Sequence, residues 1–279
     1  MTTVGIATGA GRGMGLACAR RFTGMVDTLL LVDRDEATVA AAAEDLSASG
    51  GGTAVEPFVL DITDRDGLAR LAARVSELGT LRAVAHAAGI SPTMADWRRI
   101  LTVDLVGTAL LAEALRPLAT AGTAMVCFAS MAPVLARTRP DPAVAAILDA
   151  PLHERFLDRL HEALGPAIED PGAAYAFAKH GVHRFVQQEA TRLGPVGARV
   201  CSVSPGIIDT PQGRQEAANH PSMDRLVQQT PLGRAGRPEE VAAVVAFLLS
   251  AEAGFLTGTD ILIDGGVCAA VHRQATGNG

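Results

Sequence analysis

Tyr175 and Lys179 form the residue pair best suited to chemistry, and Tyr175 is the only tyrosine in the chain. On a helix, positions i and i+4 share one face, with Cβ atoms roughly 5–6 Å apart. A phenol with its ordinary pKa near ~10 is a poor acid or base at neutral pH, but a neighbouring ammonium stabilises the phenolate and lowers that pKa. The spacing therefore favours a general acid–base pair, although a solvated helix face could show the same spacing.

A glycine-rich segment near the N-terminus has the context of a phosphate-binding loop. The apolar run at 3–8 predicts a buried strand, and the run at 16–22 predicts a helix. Between them, glycines 9, 13 and 15 permit a tight turn and a close approach of backbone N–H groups to a pyrophosphate. We therefore expect a dinucleotide here, bound by Gly9, Arg12, Gly13, Met14 and Gly15.

Asp33 ends the second predicted strand, 18 residues after Gly15, where a carboxylate can bind the ribose hydroxyls of NAD. A 2′-phosphate would meet like charge there, which disfavours NADP. Arg34 and Arg12 point the other way, since either guanidinium could pair with that phosphate. We give the carboxylate more weight and predict NAD as the cofactor, with NADP as the weaker alternative.

Strands and helices alternate along the rest of the chain. Further strands are predicted at 53–60, 81–85, 123–129, 199–204 and 259–263, and a long helix at 94–118. This alternation predicts right-handed βαβ units in a doubly wound parallel sheet, a Rossmann-type α/β fold. We expect a single domain over 1–279 with a frayed tail from about 271. Ligands bind beyond the carboxyl ends of such strands, where Asp33, Asp61, Gly89 and Ser130 fall.

In these motifs the chain resembles the short-chain dehydrogenase/reductase family over nearly its whole length. The matching residues are Thr8-Gly9-x-x-x-Gly13-x-Gly15, Asp61, Ala87-Ala88-Gly89, Ser130, Tyr175-x-x-x-Lys179, Pro205-Gly206 and Asp264-Gly265-Gly266. Each motif is loose by itself, but their order and spacing are specific. The resemblance implies hydride transfer between a nicotinamide cofactor and a secondary alcohol or a ketone.

The same resemblance assigns roles to individual residues. Tyr175 would be the acid–base, Ser130 would hold the substrate oxygen, and Lys179 would lower the tyrosine pKa and bond the nicotinamide ribose. Asp61 would reach the adenine. The other cofactor contacts that we expect are Ile62, Ala88, Gly89, Pro205, Gly206, Ile208 and Thr210, the last two at the carboxamide.

The sequence departs from the family pattern at two positions. His86-Ala87-Ala88-Gly89 stands where the family usually has Asn-Asn-Ala-Gly, and Asp104 aligns with the helix asparagine that completes the catalytic tetrad. In the family that residue bends the helix so that its backbone carbonyl holds a water near the lysine. An aspartate can keep this role, or its carboxylate can pair with Lys179 and weaken the effect on Tyr175.

Ser130 and Tyr175 are 45 residues apart, more than is usual in the family, which indicates an insertion at about 137–171. Leu152, Phe156, Leu160 and Leu164 recur every fourth residue and predict an amphipathic helix, with a shorter helix before it at 144–149. The insertion could cover its own apolar stripe, cap the substrate mouth or lie at a subunit interface. A similar insertion and a similar ending occur in the bacterial 3α-hydroxysteroid dehydrogenase/carbonyl reductase subgroup, which suggests an apolar alicyclic substrate, steroid- or terpene-like.

Composition limits the possible partners and compartment. The net charge of −6 without a basic block disfavours nucleic acid, and the apolar runs are too short to span a membrane. The four cysteines fit neither a disulfide nor a metal spacing, and we expect no metal. The chain opens directly into a strand and a glycine loop rather than a signal peptide. These features predict a reduced cytoplasmic protein, and the family resemblance a homodimer or homotetramer.

Three functions remain open at the level of sequence. The first is an NAD-dependent alcohol or carbonyl oxidoreductase. The second is a ketoacyl-thioester reductase, which Asp33 disfavours because reductive biosynthesis usually draws on NADPH. The third is a redox-inactive NAD-binding sensor or scaffold, which would not need Ser130, Tyr175 and Lys179 together.

Overall fold

The computed structural model describes residues 2–219 and 222–275, without side-chain detail at 216–219 and 222. In these residues seven parallel strands form one sheet in the order β3-β2-β1-β4-β5-β6-β7. The strands are β1 Thr3–Thr8, β2 Thr28–Asp33, β3 Ala54–Val59, β4 Thr80–His86, β5 Ala124–Phe128, β6 Arg199–Pro205 and β7 Asp260–Ile263. The predicted doubly wound Rossmann-type α/β fold is confirmed.

Burial explains why the central strands are almost continuously apolar. Strands of a parallel sheet covered on both faces need apolar side chains on both sides. In β2, residues Leu29–Val32 are all fully buried. The edge strand β3 tolerates Glu56 and Pro57, because an edge strand has one side free of ladder hydrogen bonds.

Helices cover both faces of the sheet. In chain order they are α1 Gly13–Phe22, α2 Glu36–Ala48, α3 Arg65–Leu78, α4 Trp97–Leu101, α5 Gly107–Leu115, α6 Ala132–Leu135, α7 Pro142–Leu148, α8 Phe156–Leu164, α9 Pro171–Leu193, α10 Pro211–Asn219, α11 Ser222–Gln229, α12 Pro238–Leu249 and α13 Val267–Ala275. One buried cluster joins α1, α2 and α12 to the sheet, and a second joins α3, α4, α5 and α9 to its other face.

The helix predicted at 94–118 has a different start and an interruption. It begins at Trp97, where the side chain of Asp96 accepts a hydrogen bond from the N–H of Arg99 and caps the first turn. A π-helical turn at Thr102–Val106 then separates α4 from α5, with Asp104 at its centre. The periodicity of apolar residues in the sequence does not predict a π-helical turn. Asp104 therefore has a different position around the helix axis from the one that a regular α-helix would give it.

The segment predicted as an insertion folds into α7, α8 and a 3₁₀ turn at Gly165–Glu169. Helix α8 begins at Phe156, so Leu152 lies in the preceding turn rather than in the helix. Phe156 and Leu160 are buried in the cluster that contains α4 and α9. A bidentate ion pair between Arg184 of α9 and Asp149 ties the segment down, with N–O distances of 2.7 and 2.6 Å.

The C-terminal segment differs from the frayed tail expected from residue 271. Val267–Ala275 form helix α13, and both carboxylate oxygens of Asp264 accept hydrogen bonds from N–H groups at its start. The side chains of Val267 and Cys268 are buried, so this helix packs on the domain. Residues 276–279 lie outside the described residues. Among the helices of the described residues, none is long and apolar enough to cross a membrane.

Candidate active site

A cleft opens at the carboxyl ends of the strands, at the point where the strand order reverses between β1 and β4. This is where open α/β sheets bind ligands. Its accessible volume is about 390 Å³. It is lined by nearly all of the predicted site residues, namely Gly9, Arg12, Gly13, Met14, Gly15, Asp33, Arg34, Asp61, Ile62, Ala88, Gly89, Ser130, Tyr175, Pro205, Gly206, Ile208 and Thr210. Lys179 and Asp104 do not line it and lie behind its wall.

The glycine loop fits a phosphate cradle. Gly9 has a φ of +63°, and a Cβ on it would lie 2.9 Å from the backbone nitrogen of Ala88. Only glycine therefore allows the loop to pack against the segment after β4. Arg12, the residue before α1, makes no side-chain cap hydrogen bond, whereas Asp35 caps α2. The first N–H groups of α1 thus remain for an anion in the cleft, as a dinucleotide pyrophosphate requires.

The carboxylate of Asp33 is fixed at the end of β2 by two backbone donors. Its Oδ2 accepts a hydrogen bond from Gly11 N–H at 3.0 Å, and its Oδ1 accepts one from Asp35 N–H at 3.1 Å. Arg12 and Arg34 line the same part of the cleft. The structure therefore brings together both the feature that favours NAD and the two cations that could favour NADP.

Asp61 is paired with a residue that was not predicted from the sequence, Arg99 of α4. Arg99 Nη2 donates to Asp61 Oδ2 at 2.7 Å, while the N–H and hydroxyl of Thr63 donate to Oδ1 at 2.9 and 2.7 Å. Burial opposes ionisation of Asp61, but these hydrogen bonds and the Arg99 charge outweigh it, so the pKa of Asp61 is lowered. Arg99 also lines the cleft and adds a cation beside the carboxylate.

Ser130, Tyr175 and Lys179 converge from β5 and α9. Ser130 Oγ follows β5 and accepts a hydrogen bond from Ala132 N–H at 3.1 Å. Lys179 Nζ lies 5.5 Å from the centre of the Tyr175 ring and donates to the carbonyl of Phe128 at 3.1 Å. Tyr175 and Ser130 thus face the cleft while the ammonium is held behind the phenol ring.

Asp104 is fully buried beside Lys179. Its Oδ1 accepts a hydrogen bond from Ile90 N–H at 2.9 Å and lies 3.8 Å from Lys179 Nζ. Its Oδ2 has no hydrogen-bond partner among the described residues. Burial raises the pKa of Asp104, although the Lys179 charge and the Ile90 hydrogen bond oppose this.

The part of the cleft next to β4, β5 and β6 is mostly apolar. Besides Ser130 and Tyr175, its described lining residues include Pro92, Met94, Met131, Ala132, Leu135, Gly172, Ile207, Met223 and Leu226, and Gln212 adds a polar but uncharged side chain. The charged lining residues, Arg12, Asp33, Arg34, Asp61 and Arg99, belong to the other end, next to β1, β2 and β3. No described residue of 136–171 lines the cleft, and the apolar stripe of that segment packs into the chain's own core. This packing agrees with the interpretation of a segment that covers its own stripe, while the cap over the substrate mouth and the subunit interface stay predictions.

Metal-ligating side chains do not cluster in the part of the chain that the structure describes. His183 Nε2 bonds instead with Ser204 Oγ at 2.8 Å. The four cysteines are free and buried.

The comparison with protein families assigns residues 9–146 and 165–268 to the family described as enoyl-(acyl carrier protein) reductase. The stretch 147–164, which the family pattern leaves unmatched, falls inside the predicted insertion.

Individual proteins are similar over almost the whole chain. A short-chain dehydrogenase/reductase from Alternaria brassicicola is 33% identical over 272 residues, 96% of each chain. Trans-4-hydroxycyclohexanecarboxylate dehydrogenase from Sinomonas cyclohexanicum is 31% identical and covers 95% of this chain and 93% of its own. The crystal structure of a 3-oxoacyl-[acyl-carrier protein] reductase with bound NAD from Brucella melitensis is 28% identical, with a TM-score of 0.70, covering 95% of this chain and 90% of that one.

Proposed function

The chain belongs to the short-chain dehydrogenase/reductase family of oxidoreductases, and we propose that it uses NAD to interconvert a secondary alcohol and a ketone on an apolar alicyclic substrate. The observation that carries this proposal is the placement of Tyr175 and Ser130 on one cleft, between a dinucleotide cradle and an apolar pocket, with Lys179 behind the phenol.

The proposed chemistry divides between three side chains. In alcohol oxidation, the phenolate of Tyr175 accepts the hydroxyl proton of the substrate. Ser130 donates a hydrogen bond to the same oxygen, since its Oγ already accepts from Ala132 N–H and keeps its own hydrogen. The Lys179 ammonium stabilises the phenolate from behind the ring.

The cofactor would be held by residues of the charged end and of the loop after β6. The α1 N-terminus takes the pyrophosphate, Asp33 the ribose hydroxyls, and Asp61 with Ile62 the adenine. Thr210, whose side chain would lie 3.6 Å from a Cβ on Gly13, and Ile208 hold the carboxamide. When bound, NAD supplies the hydride acceptor of the oxidation, and its reduced form the donor of the reverse reaction.

The substrate proposal rests on the chemistry of the pocket lining. Methionines 94, 131 and 223 and leucines 135 and 226 give the pocket a deformable apolar wall. None of the described residues at this end is charged, which favours an uncharged hydrocarbon ring over a polyol or an acid. The Sinomonas relative, whose named substrate is a cyclohexane ring that bears a carboxylate, supports the ring but not the charge.

A ketoacyl-thioester reductase is the second candidate, favoured by the Brucella melitensis structure. The description of the matching family shares with it the acyl-carrier-protein substrate, but names the reduction of an enoyl group rather than of a ketone. Asp33 stands against a thioester reductase that draws on NADPH, because a 2′-phosphate would approach this carboxylate. It does not stand against one that uses NADH, and the Brucella melitensis reductase has NAD bound.

One assay separates the two functions. The protein is incubated with NAD and a panel of cyclic, steroid, terpene and short secondary alcohols, and separately with acetoacetyl-CoA and NADH or NADPH. Absorbance of the reduced cofactor is followed in both. The proposal predicts the highest kcat/KM for uncharged cyclic alcohols. Activity confined to acetoacetyl-CoA would contradict the proposal and favour the thioester reductase. Binding of NAD without turnover of any alcohol or ketone would favour the sensor or scaffold.

A further inference from the structure

The imidazole of His86 is buried at the end of β4 and bridges two threonines on different elements. Its Nδ1 lies 2.8 Å from Oγ1 of Thr8, the last residue of β1, and its Nε2 lies 3.0 Å from Oγ1 of Thr108 in α5. Only 2% of His86 is exposed, so water does not compete for either nitrogen.

The two ends of this chain of hydrogen bonds fix its direction. Ala88 N–H can only donate, and it donates to Thr8 Oγ1 at 3.1 Å. The carbonyl of Asp104 can only accept, and it accepts from the Thr108 hydroxyl at 2.8 Å. Because the only hydroxyl hydrogen of Thr108 is used in this bond, Thr108 Oγ1 must accept the hydrogen bond from His86 Nε2–H.

The tautomer of His86 follows from this direction. Burial and the Lys179 charge lower the pKa of His86 to about 3, so the imidazole is neutral and carries one N–H. With that hydrogen on Nε2, Nδ1 accepts from the Thr8 hydroxyl, and every donor in the chain has an acceptor.

The chain ends at the peptide of Asp104, in the π-helical turn. The carboxyl of Asp104 is turned toward Ile90 N–H and stops 3.8 Å short of Lys179 Nζ. A freed carboxyl could approach to about 2.8 Å, the usual length of a charged hydrogen bond. We infer that His86 is a positioning residue: through Thr108 it anchors the Asp104 peptide and holds the carboxyl back from Lys179. This inference rests on the proposed function, in which the Lys179 charge acts on Tyr175.

The consequence concerns the pH at which oxidation begins. The titratable groups around Lys179 are Asp104 on the π-helical turn, Tyr175 on α9, His86 on β4 and Cys127 on β5. If the carboxyl of Asp104 came closer, more of the ammonium charge would be neutralised, and Tyr175 would ionise only at higher pH.

The test compares the pH profiles of kcat for alcohol oxidation in matched variants. Thr108→Val removes the hydroxyl at nearly constant volume, and Thr108→Ser keeps it. Glutamine can place its amide near the position of Nε2, and asparagine only near that of Nδ1, so His86→Gln can still reach Thr108 and His86→Asn cannot. We expect Thr108→Val and His86→Asn to shift the profile to higher pH by at least half a pH unit. Thr108→Ser and His86→Gln should leave the profile unchanged. A Thr108→Val profile that stays in place, or moves downward, overturns the inference even if its thermal stability falls.

A double variant and an NMR measurement test the inference in two further ways. In the Asp104→Asn background, Thr108→Val should not shift the pH profile of kcat, because no carboxylate remains to approach Lys179. A shift that persists in this background would contradict the inference. NMR of ¹⁵N-histidine-labelled protein should show His86 neutral with its hydrogen on Nε2, and a hydrogen on Nδ1 would overturn the inference. The NMR result does not depend on turnover, so it distinguishes failure of this inference from failure of the proposed function.

Discussion

Lys179 Nζ and Asp104 Oδ1 lie 3.8 Å apart, and both side chains are almost fully buried. At an effective dielectric constant of ~20, opposite charges at this distance attract by roughly 4 kcal/mol. The separation is nevertheless longer than a hydrogen bond. Lys179 donates to the Phe128 carbonyl, Asp104 Oδ1 accepts from Ile90 N–H, and in our inference the bond from Thr108 to the Asp104 carbonyl keeps the carboxyl in this position. The charge state of Asp104 therefore affects how strongly the ammonium can act on Tyr175.

The first prediction concerns Asp104→Asn. The amide oxygen can still accept from Ile90 N–H, and the backbone carbonyl of residue 104 is unchanged. Loss of the carboxylate leaves the Lys179 charge uncompensated, so alcohol oxidation should begin at a pH lower by on the order of one unit. The measurement is the pH profile of kcat. A profile identical to that of the unmodified protein would mean that the carboxylate does not act on Lys179.

The second prediction concerns the cofactor. Asp33→Asn keeps an oxygen for Gly11 N–H and removes the negative charge, so the preference for NAD over NADP in kcat/KM should fall by about tenfold or more. Asp35→Asn is the matched control, because it removes a charge two residues away that does not line the cleft and keeps a cap for α2. Equal turnover of the unmodified protein with NADP would contradict the assignment of NAD. It would indicate that Arg12 or Arg34 binds the 2′-phosphate of NADP.

The third prediction links His86 to acid stability. The pKa of His86 is lowered from 6.5 in the unfolded chain to about 3 in the fold. Below pH 6.5 the unfolded chain takes up a proton that the fold excludes, so stability is lost as pH falls. Between pH 7 and 5 this loss is about 2 kcal/mol.

Urea unfolding of His86→Gln at the two pH values measures this loss. The variant is expected to be less stable at pH 7 but to lose about 2 kcal/mol less on acidification. His153→Gln, at an exposed histidine, should behave like the unmodified protein. Equal acid sensitivity of His86→Gln and the unmodified protein would contradict a buried neutral His86.

The fourth prediction concerns the predicted insertion. Leu160 is fully buried, so Leu160→Ala should cost about 2–5 kcal/mol in the free energy of unfolding. Because Leu160 does not line the cleft, neither KM for the alcohol nor KM for NAD should change. Leu232→Ala is the control, since Leu232 is 67% exposed and should lose little stability. A changed KM for the alcohol without lost stability in Leu160→Ala would instead support a role of α8 at the substrate mouth.

The fold could be predicted because its signals are local. The apolar run of β2 indicates a buried strand, and the glycines before α1 indicate a tight turn. The alternation of such strands with helices along the chain indicates the parallel sheet. The start of the helix at Trp97 and the π-helical turn at Asp104 could not be predicted, because they depend on a cap and on hydrogen bonds rather than on periodicity.

The candidate site divides in the same way. Asp33, Ser130 and Tyr175 follow strands or a motif and could be named from the sequence. Arg99 could not, because it meets Asp61 across 38 residues and helical arginines are common. His86 was visible only as a departure from a family pattern, since its partners Thr8 and Thr108 are 78 and 22 residues away.

The central claim is that Tyr175 exchanges the proton of the alcohol. Tyr175→Phe keeps the ring and removes only the hydroxyl, so the variant isolates that step. Lys179→Met is the companion variant, expected to lose turnover because it removes the charge. The family resemblance, which assigns Lys179 to the nicotinamide ribose, predicts that this variant loses NAD affinity as well.

The most direct measurement is kcat for alcohol oxidation by Tyr175→Phe beside its dissociation constant for NAD, determined by calorimetry. General acid–base groups contribute roughly 10²–10⁴-fold in rate, so kcat should fall by that factor while the dissociation constant changes by less than about twofold. A Tyr175→Phe protein that turns over at a near-normal rate would contradict the account.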